Sequence, residues 1–108
     1  MTSKSSITTN SPSLRRIMPI HPGETLHEDF MAPLGLSANQ LAQMLEVPQN
    51  RVSEIVRGRR SVSADTALRL ERAFGVSAQF WLNLQQQYDL ILARRHAKGL
   101  SRIKPIAA

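Results

Sequence analysis

The stretch "SANQLAQMLEVPQNRVSEIV", residues 37–56, constrains the fold more than any other part of the chain. Ser37 followed three residues on by Gln40 is a capping box, which opens a helix by satisfying backbone N–H groups at both positions. Leu41, Ala42, Met44 and Leu45 then follow as the helix's apolar residues, and Val52, Ile55 and Val56 recur at helical spacing after a joint of only three residues, "EVP". So short a joint forces the two helices to cross closely, with Ala42 as the small residue at the crossing and Val47 plugging the turn into the core. Leu41, Leu45, Val52 and Ile55 lock the pair, and Gly58 is the expected left-handed stop of the second helix. This is the helix-turn-helix arrangement, and it leaves the first turn of the second helix jutting outward.

Three further helices are expected around this pair. "HPGETLHEDF" places Pro22 in a first turn, acids near the helix start, and Leu26 and Phe30 on one face, with "APLGL" as its break. "SADTALRLERAFG" starts at Ser63, buries Ala67, Leu70 and Phe74 and stops at Gly75. "SAQFWLNLQQQYDLILARR" is the longest. No segment alternates apolar and polar residues as a half-buried strand does, so the fold is all-α, with five helices. Residues 1–17 are Ser-, Thr-, Asn- and Pro-rich and read as a flexible extension, with Met18 as a second candidate start. Residues 18–93 form one domain, and residues 94–108 a basic, poorly patterned tail.

Why would one short helix carry Gln49, Asn50, Arg51, Ser53 and Glu54 on its outer face and then run into Arg57, Arg59 and Arg60? Lys plus Arg number 14 against 8 Asp plus Glu, a net charge of +6, and a small domain so basic suits a polyanionic partner. Gln49 and Asn50 can each pair bidentately with adenine, and Arg51 can fork onto guanine, when the helix lies in a major groove. Glu54 can accept from cytosine, repel the DNA backbone, or pair with Arg57 or Arg51. Arg57, Arg59 and Arg60 are placed for phosphate contact, which supplies affinity and salt dependence without sequence preference. The helix N-terminus at Ser37 can donate backbone N–H groups to phosphates.

Other chemistries find little support. The absence of cysteine excludes thiol catalysis, disulfides and cysteine zinc sites, and fits a cytoplasmic protein. "HEDFM", residues 27–31, has Met31 where a zinc-protease signature needs its second histidine. His21, His27 and His96 are scattered and read as surface or capping residues. No catalytic residue, metal site, cofactor or membrane span is expected. A single helix-turn-helix covers half a typical site, so a homodimer is expected, with half-sites about 34 Å apart. Trp81, Leu84, Tyr88 and Ile91 repeat like a coiled-coil seam and are the candidate dimer contact.

Residues 18–90 resemble the HigA (VapI-like) antitoxins of type II toxin–antitoxin modules, within the larger xenobiotic-response-element family of helix-turn-helix regulators. "PIHPGE", "RVSEIVRGRR", "SADTALRL" and "FWLNLQ" carry the resemblance, in order and without gaps. It implies a lambda-repressor-like domain with a longer C-terminal helix. It also implies a homodimer that represses its own operon at an inverted repeat in double-stranded operator DNA, and that neutralises a HigB-type mRNA endonuclease toxin. By motif position, Gln49, Asn50, Arg51, Ser53 and Glu54 match groove-facing residues, and Ser37, Asn39 and Gln40 lie where a backbone-contacting helix begins. Glu46 departs from the pattern, which has Gly in the turn. A solitary repressor of the same fold, without a toxin, is the alternative.

Overall fold

The chain enters its first helix through His21, whose extended backbone and Nδ1 atom cap the helix by accepting the Gly23 N–H at 2.9 Å. The computed structural model describes residues 19–107; the expected N-terminal extension and Met18 lie outside that range. Helix α1 has three parts: Pro22–Thr25, a wider π-helical stretch Leu26–Met31, and Ala32–Leu34. Pro33 has no N–H, and in a regular helix its ring would strike the carbonyl of Asp29; the widened turn lies directly before it. The helix therefore passes through "APL", expected as a break, and ends only at the left-handed Gly35.

Helix α2 spans Ala38–Leu45 and α3 spans Gln49–Val56. The capping box is present with both bonds: Gln40 N–H to Ser37 Oγ at 3.1 Å, and Ser37 N–H to Gln40 Oε1 at 2.9 Å. Glu46 ends α2 at φ 58°, a conformation that costs a residue with a Cβ about 1–2 kcal/mol. Backbone bonds from Glu46 N to Gln43 O and from Val47 N to Ala42 O hold it there. Gly58, at φ 76°, closes α3 as its composition suggested. Helix α4, Ala64–Phe74, and helix α5, Ala78–His96, start at Ser63 and Ser77, whose hydroxyls accept backbone N–H groups. A short 3-10 turn, Leu100–Arg102, follows. Among the described residues there is no strand. Helix α5 also runs through Arg94–His96, so the basic tail begins as helix.

The core gathers Leu26 and Met31 of α1, Leu41, Ala42 and Leu45 of α2, Val52 and Ile55 of α3, Ala67 and Leu70 of α4, and Trp81 of α5, together with Val62. Each fully buried Leu, Ile or Met contributes about 1.5–3 kcal/mol. Trp81 is a correction to the expected dimer seam. It is completely buried within its own chain, packed against Phe30 and Phe80 with ring centroids 5.0 and 5.1 Å away, and cannot reach a partner. Leu84 packs on the same core, and Tyr88 lies edge-on to His21 at 4.9 Å. A spacing of three and four marks a stripe on a helix but not which neighbour covers it.

Gly23 sets how α1 meets α3. A Cβ built on it would fall 1.8 Å from the Ile55 carbonyl oxygen and 3.0 Å from the Val56 Cα, both backbone atoms that cannot swing aside. Gly23→Ala is expected to destabilise the domain by about 1–3 kcal/mol, roughly 4–8 °C in Tm per kcal/mol at this size. A thermal melt checks this, and an unchanged Tm would mean that the contact is not close.

Burial pushes the His21 imidazole below its usual pKa, while Asp89 and a hydrogen bond with the Arg60 backbone pull it the other way. The cap needs the neutral ring, because Nδ1 must accept. With the folded value below the unfolded value of about 6.5, the unfolded chain binds the proton more readily. The contribution is therefore complete above that value and is lost as pH falls below it. His21→Asn keeps a neutral acceptor at the cap. It should lower stability at pH 7.5 yet flatten its decline between pH 7 and 5, as read from urea midpoints; equal slopes in both proteins would contradict this.

Candidate nucleic-acid interface

Helix α3 buries Val52 and Ile55, which turns its other side outward. Gln49 and Asn50, in its first turn, are exposed, and among the described residues their side chains hold no partner. Pro48, extended at φ −61° and ψ 147°, precedes them without a side-chain cap, so the first N–H groups of α3 also face outward. Ser53 is half-buried and its hydroxyl donates back to the Asn50 carbonyl at 3.3 Å, a weak local bond that an acceptor on a ligand could replace.

Arg51 and Glu54 are not free. The Arg51 Nη1 lies 3.1 Å from Asp65 Oδ2 in the first turn of α4. Glu54 pairs with Arg60, Nε to Oε1 at 2.8 Å and Nη2 to Oε1 at 2.6 Å, and not with Arg57 or Arg51 as sequence proximity suggested. The left-handed Gly58 turns the chain back along α3 and brings Arg60 alongside Glu54. Arg57 and Arg59 remain exposed and unpaired among the described residues, so they are the two loop cations available to phosphates. Ser37 and Gln40 spend their side chains on each other's backbone, which leaves Asn39 as the exposed, uncommitted side chain at the start of α2.

The loop carrying these arginines is pinned from beneath. The His21 ring lies under Gly58, with its Cγ 3.7 Å from where a Cβ would stand. The buried Gln85 of α5 accepts the Val62 N–H at 2.8 Å and donates to Asp89 Oδ1 at 2.9 Å. Sequence reasoning missed Gln85, although it sits four residues after Trp81 on the buried stripe, where a polar side chain must be answered by a partner. It also missed Asp65 and Arg69. Arg69 Nε bonds Asp65 Oδ2 at 2.9 Å and its Nη1 bonds the Leu45 carbonyl at 2.8 Å. The Arg69 hydrogen bond is the chief cause that holds the exposed Asp65 carboxyl below its usual range, with Arg51 adding to it.

Helix α5 also presents Asn83, Gln86, Gln87, Asp89, Leu90 and Ala93 around a shallow depression. Leu90 is 48% exposed, a large apolar side chain without cover. Among the described residues no helix is long and apolar enough to cross a membrane.

A helix-turn-helix family model matches residues 28–81, the span from α1 into α5. Virulence-associated protein I of Dichelobacter nodosus is 48% identical over 97 residues, covering 89% of this chain and 90% of its own. A solved antidote protein of a HigA family from Coxiella burnetii matches at 48% identity and TM-score 0.74, over 81% of this chain and 97% of that one. The antitoxin HigA of Pseudomonas aeruginosa, solved with the higBA promoter, matches at 43% identity and TM-score 0.76, over 82% and 98%. Identity at this level, over nearly the whole of each relative and with the same fold, leaves one assignment: the chain belongs to the HigA-type antitoxins of the helix-turn-helix family.

Proposed function

We propose that this protein is a cytoplasmic antitoxin that represses its own operon and neutralises a HigB-type mRNA endonuclease toxin, acting by binding and not by catalysis. The observation that carries the DNA half is the pair of exposed side chains at the start of α3, Gln49 and Asn50, without partners among the described residues and beside a rigidly held basic loop. It is supported by the likeness to a HigA solved with promoter DNA. Gln49, Asn50, Arg51 and Ser53 read base edges in the major groove, each good bidentate pair adding about 1–3 kcal/mol of discrimination. Glu54, engaged with Arg60, shapes the surface beside them. Arg57 and Arg59 contact phosphates, and the start of α2 approaches the backbone through Asn39, its side chain and N–H group. The capping-box pair Ser37 and Gln40, whose N–H groups bond each other's side chains, fixes that first turn.

The deciding experiment expresses the small open reading frame neighbouring this gene with and without this protein. Growth arrest relieved only by this protein supports the antitoxin reading. Arrest without relief, beside a footprint on the gene's own promoter, would leave the solitary repressor.

The protein binds an inverted repeat as a homodimer through the outer face of α5, where Leu90 and the half-buried Ile91 stand clear of the core stripe. Leu90→Asp is expected to sediment as a monomer and to bind the repeat at least about tenfold more weakly, since a dimer's two half-site contacts act together; a dimer unchanged by this substitution would exclude that face. Arg59→Ala is expected to weaken binding to all DNA sequences alike and to lower the slope of log affinity against log salt by about 0.9. An unaltered slope in a titration from low to moderate salt would remove Arg59 from the phosphate contacts.

A further inference from the structure

Asp65 brings two guanidinium groups onto one carboxylate oxygen. Arg51 Nη1 is 3.1 Å from Oδ2 and Arg69 Nε is 2.9 Å from the same atom. Arg69 is itself fixed, since its Nη1 donates 2.8 Å to the Leu45 carbonyl at the end of α2. A chain of three bonds thus ties the last turn of α2 to the first turns of α4 and α3. It crosses the outside of the domain, where Asp65 is 58% exposed. Exposed ion pairs add little to stability, so the cluster is poorly explained as a fold-stabilising device.

Its geometry suits another task. A free arginine on a helix samples many rotamers, and ordering it on a ligand costs binding free energy. Asp65 takes only Nη1, one of the three nitrogens that carry a guanidinium's five N–H donors. The edge formed by Nε and Nη2 remains, which is a planar fork of the kind that matches two acceptors on a guanine. The carboxylate itself is held by Arg69, so it is a fixed post and not a second mobile group.

We propose that Asp65, braced by Arg69, is a positioning residue for DNA reading: it holds Arg51 in the orientation that reads one base pair of each half-site and so sets the protein's preference there. This rests on the reading of α3 as the groove helix. A carboxylate at the DNA surface also repels phosphates, so Asp65 lowers affinity for every sequence while raising discrimination at one position. The two effects separate by measurement.

The experiment uses the full-length protein and the promoter fragment that it protects in a footprint, with each base pair of one half-site varied in turn. Affinities are taken for the wild type, Arg51→Ala, Asp65→Asn, Asp65→Glu and the Arg51→Ala/Asp65→Asn double variant, after melts establish that each is folded. Arg51→Ala should lose discrimination at one base pair by about 5- to 100-fold. Asp65→Asn should lose about 2- to 10-fold at that same base pair while binding unrelated DNA no less tightly. Asp65→Glu should recover part of the preference, and the double variant should discriminate no worse than Arg51→Ala alone. If Asp65→Asn shifts all affinities equally and leaves the ratio at the Arg51 position intact, Asp65 is only a charge and the proposal fails. If the double variant loses discrimination beyond Arg51→Ala, Asp65 acts independently of Arg51 and the proposal also fails. If Arg51→Ala itself leaves every ratio unchanged, the assignment of Arg51 falls, and the positioning role with it. If the wild type protects no promoter fragment, the DNA reading itself is at fault.

Discussion

Gly23 lets the first turn of α1 rest on the backbone of Ile55 and Val56, and much of the molecule depends on that closeness. It fixes where α3 ends, and therefore where Gly58 can turn the chain and where the arginine loop begins. His21, two residues earlier, then falls directly beneath that loop and can cap α1 and support Gly58 with a single ring. A side chain at residue 23 would lift α1 and remove both supports together. The "HPGE" segment is thus less a helix start than a foundation for the end of the recognition helix.

Much of this architecture was legible because its causes are local. The Ser37–Gln40 capping box, the left-handed Gly58 and the buried Leu41, Leu45, Val52 and Ile55 follow from residue type and spacing within a few positions. What was not legible depends on pairs brought together from afar. Arg51 and Asp65 are 14 residues apart, Arg69 and Leu45 are 24 apart, and Gln85 meets Val62 across 23. Trp81 failed for a different reason. Helix α5 carries apolar residues on both sides, so spacing alone could not tell the stripe that packs on Phe30 from the side that leaves Leu90 uncovered.

The arginines on this surface divide by how they are held. Arg51, Arg60 and Arg69 are each anchored to a carboxylate, whereas Arg57 and Arg59 extend from a pinned backbone without partners among the described residues. Anchoring reduces the conformational freedom lost on binding and favours directional contacts; freedom favours adaptation to phosphates whose positions vary with DNA shape. One basic surface therefore contains two kinds of contact, distinguished by what lies behind each charge and not by residue type.

Glu46 has a consequence of another sort. It occupies a left-handed backbone position that glycine would fill without strain, yet the turn is held by its own backbone bonds and by Arg69 on the neighbouring Leu45 carbonyl. The joint between α2 and α3 is therefore over-determined, and the domain carries a small unspent reserve of stability in a turn that makes none of the groove-facing contacts itself. Sequence drift or protein engineering could draw on that reserve to offset destabilising changes on the groove-facing side chains, which makes the turn a point from which new operator preferences become accessible.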